Sequence, residues 1–477
     1  MAQDGGHAGF PSASWATIGL VSLGVFFTAL DQTVVVTVLP EVMLDMEIPP
    51  TELNRASWVI TGYLLGYTVA IPLVARLSDA YGHAHLFRGS LVLFAVASMA
   101  VALASNLPWL VAARVFQALG GGAMIPIGLA LLTGALPGQR RAVAVGIVGA
   151  AAEMGVVLGP LYGGGITAAL GWRWLFWLDV PQAAIVLLAL RTISSRPSPG
   201  TRVDYRGGLL LAATLTLLVI ALSRRELFSF SSPLPYVMAI GGAVALVGLV
   251  LHQGHTEQPL VAPVLFRSRA ALAAICTKLL VGSALIIAMV TVPLMADTVL
   301  GKSPLEGGLR LMRLTGALPL GALLGGYLAY RAGPGPVTVV GLTVAAGGLF
   351  LMSGWGMDIA DPQLSLHLAL AGLGFGLVIA PIFVTAMDAG PPDYQATSAS
   401  LVTVARMIGM ALGLAALSAW GMDRFLTLTA GLPSPLAKEY ASELNQASIA
   451  LFREFFRVAM SLCLAAVVPA LGLGRKR

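Results

Sequence analysis

The sequence has 477 residues, of which 57% are hydrophobic and only 10% are charged, against roughly 25% charged residues in soluble domains. This composition excludes a large water-soluble core and predicts a polytopic membrane protein. The net charge of +6 does not indicate nucleic acid, because cytoplasmic loops of membrane proteins also carry excess Lys and Arg. We therefore expect no nucleic-acid partner.

The N-terminal segment and the cysteines exclude two further classes. Residues 1–14 contain no Lys or Arg, and the apolar run after them is too long for a cleavable signal, so the first helix is expected to remain as a span. Cys276 and Cys463 fall in apolar runs and give neither a disulfide framework nor metal-ligand spacing. No metal site is expected.

The first apolar run, Trp15 to Pro40, carries one carboxylate, Asp31. A charge inside a membrane span is costly and usually functional, so Asp31 needs a partner at its own depth. With a rise of about 1.5 Å per residue and the N-terminus inside, Asp31 lies roughly 12 Å below the outer end of its helix. Arg114, which lies roughly 7 to 8 Å deep on the fourth predicted helix, can reach it with its long side chain.

Apolar windows broken by Pro, Gly and charge predict fourteen transmembrane helices in an all-α fold. An excess of Lys and Arg on one side predicts that both termini are cytoplasmic. The predicted spans are 15–39, 56–78, 86–105, 109–136, 142–170, 174–190, 207–222, 234–251, 270–299, 304–330, 336–355, 364–387, 396–422 and 450–472.

Polar stretches divide the helices into three predicted regions. Residues 1–191 form a six-helix bundle, residues 192–269 a cytoplasmic linker with two extra helices, and residues 270–477 a second six-helix bundle. The string ARLSDAYG at 75–82 has a counterpart, GYLAYRAG, at 326–333. Repeated bundles of this kind are characteristic of secondary transporters.

Several strings, in the right order and on the right helices, resemble the major facilitator superfamily, and specifically its fourteen-helix drug:proton antiporter branch. They are LDQTVVVTVLP in helix 1, ARLSDAYG after helix 2, ARVFQALGGGA in helix 4, GVVLGPLYGG in helix 5 and WRWLFWLDVP at 172–181. The resemblance covers essentially the whole chain. It implies two six-helix bundles plus two linker helices, and secondary active transport rather than enzymatic activity.

The resemblance implies that Asp31 and Arg114 couple transport to protons. An adjacent cation favours the charged carboxylate, whereas burial favours the protonated form, so withdrawal of Arg114 would let Asp31 bind a proton. The alternative is a static ion pair that only fixes helix packing.

Glu153 in helix 5 and Arg406 in helix 13 lie about 16 and 15 Å above the cytoplasmic ends of their helices. We predict a charge pair between the bundles that opens and closes as they rock. In the alternative, each residue faces its own water-filled cavity.

Two motifs predict gates. In the resembled loop motif, Asp79 supports the cytoplasmic gate, but here Ala75 replaces the usual Gly, and Ala80, His83 and Ala84 occupy its basic positions. The antiporter motif predicts a smooth, bent helix that seals the outer side through small residues. Its gate residues are Gly155, Gly159, Pro160, Gly163 and Gly164.

Three further polar residues, Gln117, Lys278 and Arg313, are candidates for the substrate cavity. Lys278 and Arg313 could instead extend toward an interface. Glu306 lies four residues before Arg310 and is expected to pair with it.

The strings at 56–73, 149–163 and 404–425 resemble more closely the triacylglyceride exporters of mycobacteria, which work with a periplasmic lipoprotein carrier. In that group the last two helices extend beyond the membrane, and residues 396–425 and 440–472 are long enough to do so. The shorter loop at 356–363 departs from that group.

The predicted function is proton-coupled export of a lipid or other lipophilic molecule from a bacterial inner membrane, by a monomer with no cofactor except the proton gradient. One alternative is a general multidrug:proton antiporter. The other is a membrane-embedded lipid enzyme, for which GxSxG and HExxH motifs are absent and His83, His85, His252 and His255 are expected in loops.

Overall fold

The computed structural model describes most of the chain, and all structural statements below concern those residues. They are residues 15–49, 52–135, 138–191, 203–229, 231–257, 259–260, 266, 268–389, 395–432 and 439–474.

The described chain is helical, with eighteen α-helices and no strand. In chain order they are α1 (Trp15–Asp45), α2 (Leu53–Ala56), α3 (Trp58–Tyr81), α4 (His83–Ala102), α5 (Leu107–Gly121), α6 (Met124–Ala135), α7 (Gly138–Leu170), α8 (Arg173–Ala189), α9 (Tyr205–Leu222), α10 (Glu226–Ser229), α11 (Leu234–His255), α12 (Arg269–Thr298), α13 (Pro304–Ala332), α14 (Pro334–Met352), α15 (Asp361–Leu377), α16 (Ile379–Asp388), α17 (Gln395–Thr429) and α18 (Tyr440–Ala470).

The helices confirm the polytopic membrane fold. In the described chain, thirteen spans are long and apolar enough to cross a bilayer, with α2–α3, α5–α6 and α15–α16 each counting as one. Helix α8, with 17 residues, is at the lower end of the length range for a span and completes the predicted fourteen. The expectation that the four histidines lie in loops is wrong. His83 begins α4 and His85 follows it in the same turn, while His252 and His255 lie in the last turn of α11, because the apolar windows ended before the helices did.

The two six-helix sets pack in the same way. Helix α1 packs on α7 as α12 packs on α17, α3 on α5 as α13 on α15, and α4 on α8 as α14 on α18. The repeated loop strings share backbone geometry too. Gly82 after α3 and Gly333 after α13 have φ of 94° and 91°, a left-handed conformation that glycine adopts without strain. Each glycine ends one helix and begins the next.

The two extra helices, α9 and α11, pack on each other, and α9 also packs against α3 and α17. Asp204 caps α9 by accepting from the Gly207 N–H (2.8 Å), and it also accepts from His252 (2.8 Å) and Gln253 (2.7 Å) of α11. Arg76 of α3 donates to the Pro259 carbonyl (3.1 Å). The inserted pair is therefore tied together and held to the first bundle at one end.

Helices α1 and α12 are the most buried helices of their bundles. Residues 28–40 of α1 and 281–296 of α12 are buried on all faces. These two helices also contact each other across the interface between the bundles. A polar side chain on either helix must therefore face protein or an internal cavity.

Candidate functional site

Asp31 lies at the centre of α1 and forms an ion pair with Arg114 of α5. Arg114 Nη1 donates to both carboxylate oxygens, at 2.8 and 3.0 Å, and both side chains are at most 2% exposed. The guanidinium carbon lies 4.1 Å from the centre of the Tyr63 ring, a cation–π distance. The structure thus brings Asp31 and Arg114 together, as predicted from their depths in the membrane, in a site shielded from solvent.

The ion pair is part of a larger polar network in the first bundle. Arg114 also donates to Gln117 Oε1 (2.6 Å), and Gln117 Nε2 lies 2.7 Å from Ser98 Oγ. Ser98 Oγ in turn donates to Asp179 Oδ2 (3.0 Å) on α8. The five side chains come from α1, α4, α5 and α8, and each is at most 4% exposed. Neither Asp179 nor Ser98 is among the site residues predicted from the sequence.

Helix α7 fixes the position of α1 beside this network. A Cβ atom on Gly155 would lie 2.5 Å from the Phe26 carbonyl oxygen, and one on Gly159 would overlap Thr33 Oγ1. Thr33 Oγ1 itself donates to the Val156 carbonyl (3.1 Å). The small residues of the antiporter motif therefore allow the close approach that holds Asp31 toward α5.

The same motif continues into a contact between the bundles. Cβ atoms on Gly164 and Gly308 would overlap the carbonyl oxygens of Pro304 and Pro160, respectively. Gly163 packs on Val34 of α1. Helices α7 and α13 are thus in backbone contact at the end that is predicted to be extracytoplasmic.

A cavity lies between the bundles below this contact. Its lining is largely apolar, and it encloses about 500 Å³ of empty space, a volume that includes open solvent. The lining residues are Gln32, Thr33, Glu153, Val156, Lys278, Val281, Leu285, Met289, Leu318, Phe375, Ile379, Arg406 and Met410.

Three charged residues line this cavity, namely Glu153, Lys278 and Arg406. Within the described chain they form no ion pair at 4.0 Å or less, and Arg406 Nε is buried without a hydrogen-bond partner. Lys278 is 1% exposed and lies 5.3 Å from the centre of the Phe383 ring. The predicted Glu153–Arg406 pair is therefore not closed in this conformation, although both residues face the same space.

The other two cavity candidates lie outside this cavity. Gln117 is fully buried in the Asp31 network. Arg313 donates to Asp361 (2.7 Å) and Ser365 (2.8 Å) at the start of α15. A long guanidinium side chain can extend toward an acid near the helix end, and here it does.

The predicted pair of Glu306 with Arg310 is wrong. Glu306 accepts from the Ser303 N–H (3.2 Å) in a capping box and pairs with Lys302 at 3.3 Å. Arg310 Nη1 is buried without a hydrogen-bond partner among the described residues. The local cap at the start of α13 engages the carboxylate instead, because Glu306 is the third residue of that helix.

The side chain of Asp79 lies outside the described residues, so its predicted gate role stays a prediction. Its neighbour Arg76 holds the chain segment that returns from the two extra helices.

The last two long helices pair with each other. Helices α17 and α18 have 35 and 31 residues, or about 52 and 46 Å, against a hydrocarbon core of about 30 Å. Arg424 and Glu454 form a bidentate ion pair between them, with both distances 2.8 Å. Arg453 donates to the Trp355 carbonyl (2.7 Å) and so joins α18 to the loop after α14.

Two matched six-helix bundles around a shared cavity, in a chain of apolar spans, define a multi-pass membrane fold. The chain belongs to the major facilitator superfamily, whose family model matches residues 21–414, and it is therefore a transporter and not an enzyme.

Similar proteins agree with this assignment. The chain is 38% identical to a triacylglyceride transporter of Mycolicibacterium hassiacum, over 95% of this chain and 91% of that protein. It is 35% identical to a probable triacylglyceride transporter of Mycobacterium leprae, over 96% and 95% of the two chains. In fold it is similar to a bacterial homologue of the human lysosomal transporter Spinster in an inward-facing, unoccupied conformation, with a TM-score of 0.64, 17% identity, and 98% and 99% of the two chains covered.

Proposed function

We propose that this protein is a proton-coupled exporter that moves a triacylglyceride-like lipid, or a similarly lipophilic molecule, out of a bacterial inner membrane by alternating access. The names of the similar mycobacterial transporters support the lipid class. The cavity supports it too, since Val, Leu, Ile, Met and Phe supply most of its lining. Such a surface suits an uncharged molecule with acyl chains.

One observation carries the proposed coupling. Asp31 points from α1 into the buried network, while the next two residues, Gln32 and Thr33, line the cavity. A rotation or shift of α1 that accompanies loss of the Asp31–Arg114 pair therefore also moves the cavity wall. Protonation of Asp31 would favour that change, because it removes the charge that holds Arg114.

The remaining charged residues act as the conformational switch. In the proposed cycle, Glu153 and Arg406 approach and separate as the bundles rock. The motif contact of α7 with α13 seals the outer side, and Asp79 supports the inner gate. The proton gradient supplies the energy, and no cofactor is required.

The long helices α17 and α18 suggest how the lipid leaves the membrane. In the proposed arrangement their paired ends project from the bilayer and deliver the lipid to a periplasmic lipoprotein carrier. The transporter itself works as a monomer among the membrane lipids.

Transport by purified protein in proteoliposomes with an imposed pH gradient tests the proposal. The wild type is expected to move a fluorescent triacylglyceride between leaflets or to an acceptor, with proton flow in the opposite direction. Asp31→Asn is expected to remove the dependence on the pH gradient. Asp204→Asn, which changes a buried carboxylate that does not line the cavity, is the matched control and should transport normally. Wild-type, gradient-dependent export by Asp31→Asn would overturn the coupling role.

A multidrug:proton antiporter is the second candidate, and the Glu153 carboxylate in the cavity favours it, because cationic drugs need an acidic partner. Drug resistance and lipid export measured in the same deletion strain separate the two. Loss of lipid export without loss of resistance would remove drug efflux as the primary role.

A further inference from the structure

The buried network of the first bundle contains a second carboxylate to which the proposed function gives no role. Asp179 is 4% exposed and accepts hydrogen bonds at Oδ2 from Ser98 (3.0 Å) and Gln117 (3.3 Å). Both donors are neutral. Arg114, the cation of the network, directs Nη1 to Asp31 and to the Gln117 carbonyl oxygen instead.

The charges of this network do not balance if both carboxylates are ionised. The titratable or charged groups around Asp179 are Asp31 on α1, Tyr63 on α3, Arg114 on α5 and Tyr162 on α7, while α4 contributes only the Ser98 hydroxyl. Arg114 neutralises Asp31. An ionised Asp179 would then be a buried anion without a paired cation, beside a second anion, which is strongly disfavoured.

The hydrogen bonds of Gln117 connect the two carboxylates. Its amide nitrogen lies within hydrogen-bond distance of three acceptors, Ser98 Oγ (2.7 Å), Asp31 Oδ1 (3.3 Å) and Asp179 Oδ2 (3.3 Å). An amide nitrogen carries only two hydrogens, so it cannot serve all three at once. The acceptor that loses its hydrogen bond depends on which carboxylate is charged.

We propose that Asp179 is a second proton-binding site, occupied in the conformation described here, and that Gln117 couples its occupancy to that of Asp31. With Asp179 protonated and Asp31 paired to Arg114, the network is neutral. Loss of the Asp179 proton leaves one excess negative charge, which favours proton binding at Asp31 if Arg114 withdraws. The proton site stands without the transport proposal, whereas its part in the transport cycle rests on that proposal.

Infrared difference spectroscopy of the full-length protein in lipid tests the site directly. At neutral pH the wild type is expected to show the C=O absorption of a protonated, non-solvated carboxylic acid, identified by its shift on aspartate isotope labelling. Asp179→Asn should lose this band, and Asp204→Asn should keep it. If the band is absent from the wild type, or persists in Asp179→Asn, the proposed site is wrong.

A transport measurement tests the coupling separately. In proteoliposomes, Gln117→Leu is expected to keep a folded protein but to shift the pH at which export is half-maximal, and Gln117→Glu to shift it further. Size-exclusion profiles and melting temperatures identify any variant that fails to fold. If the Asp179 band behaves as expected but the pH profile of Gln117→Leu equals that of the wild type, the coupling is wrong. If Asp31→Asn retains gradient-dependent export, the transport proposal fails while the infrared result still decides the site.

Discussion

The protein holds two clusters of intramembrane charge that are built in opposite ways. In the first bundle, Asp31 and Arg114 pair directly, and Gln117 and Ser98 join this pair to Asp179 through hydrogen bonds of 2.6 to 3.3 Å. In the cavity, Glu153 and Arg406 line the same space from the two bundles, without an ion pair among the described residues. A closed network holds a fixed geometry until a proton changes its charge, whereas separated charges are available to pair in another conformation.

The largest expected effect on stability comes from a substitution that breaks the hydrogen-bonded network of the first bundle. Arg114→Met leaves Asp31 buried beside Asp179 without a cation, and loss of one partner of a buried pair costs about 3–5 kcal/mol. Arg406→Met removes a half-buried guanidinium whose buried Nε has no hydrogen-bond partner among the described residues, so we expect between no change and a gain of about 1–3 kcal/mol. Equilibrium unfolding in mixed micelles measures both.

The double variant Asp31→Asn with Arg114→Met is the control for this comparison, because it removes both charges of the pair. It should recover much of the stability that Arg114→Met loses. An equal loss in Arg114→Met and Arg406→Met would mean that the two clusters do not differ in the way described.

An intermediate effect on stability is expected from a substitution in the contact between α7 and α1, which holds α1 beside the network. Gly159→Val places a branched side chain where Thr33 Oγ1 and the Leu30 carbonyl already lie, and such overpacking costs about 1–3 kcal/mol. The displaced α1 should also weaken export. Gly165→Ala is the matched control, because the nearest atom to its added Cβ is Leu305 Cδ1 at 3.9 Å. Melting temperature and export are measured together, and wild-type values for Gly159→Val would contradict the packing argument.

The sequence allowed the Asp31–Arg114 pair to be predicted, because rise per residue fixes the depth of a side chain in a helix. The same arithmetic would have found Asp179. It lies six residues into α8 and Arg114 lies seven residues into α5, and both helices begin at the same end, so the two are level at roughly 9 and 10 Å. This carboxylate is the Asp of the string WRWLFWLDVP.

Other side-chain contacts could not be predicted from the depth of a residue in its helix. The contact of Arg313 with Asp361 depends on how a long side chain bends toward a neighbouring helix end. The separation of Glu153 from Arg406 depends on the relative position of the two bundles, which the proposed alternating-access cycle changes. By contrast, the order of the helices and the repeat of the six-helix bundle could be predicted from the lengths of the apolar runs and from glycines between helices, such as Gly82 and Gly333.

The smallest expected effect on stability concerns a third buried carboxylate, Asp204. Asp204 should be ionised at neutral pH, whereas Asp179 is proposed to be protonated. Burial opposes its ionisation, but hydrogen bonds from His252, the Gly207 N–H and Gln253 together lower the pKa of Asp204 below its usual value. Because the folded-state pKa is depressed, the stabilisation is complete above the unfolded value of about 4 and is lost as pH falls through the folded pKa. Asp204→Ala, which also removes the cap of α9, should cost about 1 kcal/mol at neutral pH. The difference in melting temperature between Asp204→Ala and the wild type should shrink at acidic pH. If this difference stays constant down to pH values well below 4, the charge of the Asp204 carboxylate contributes nothing to stability.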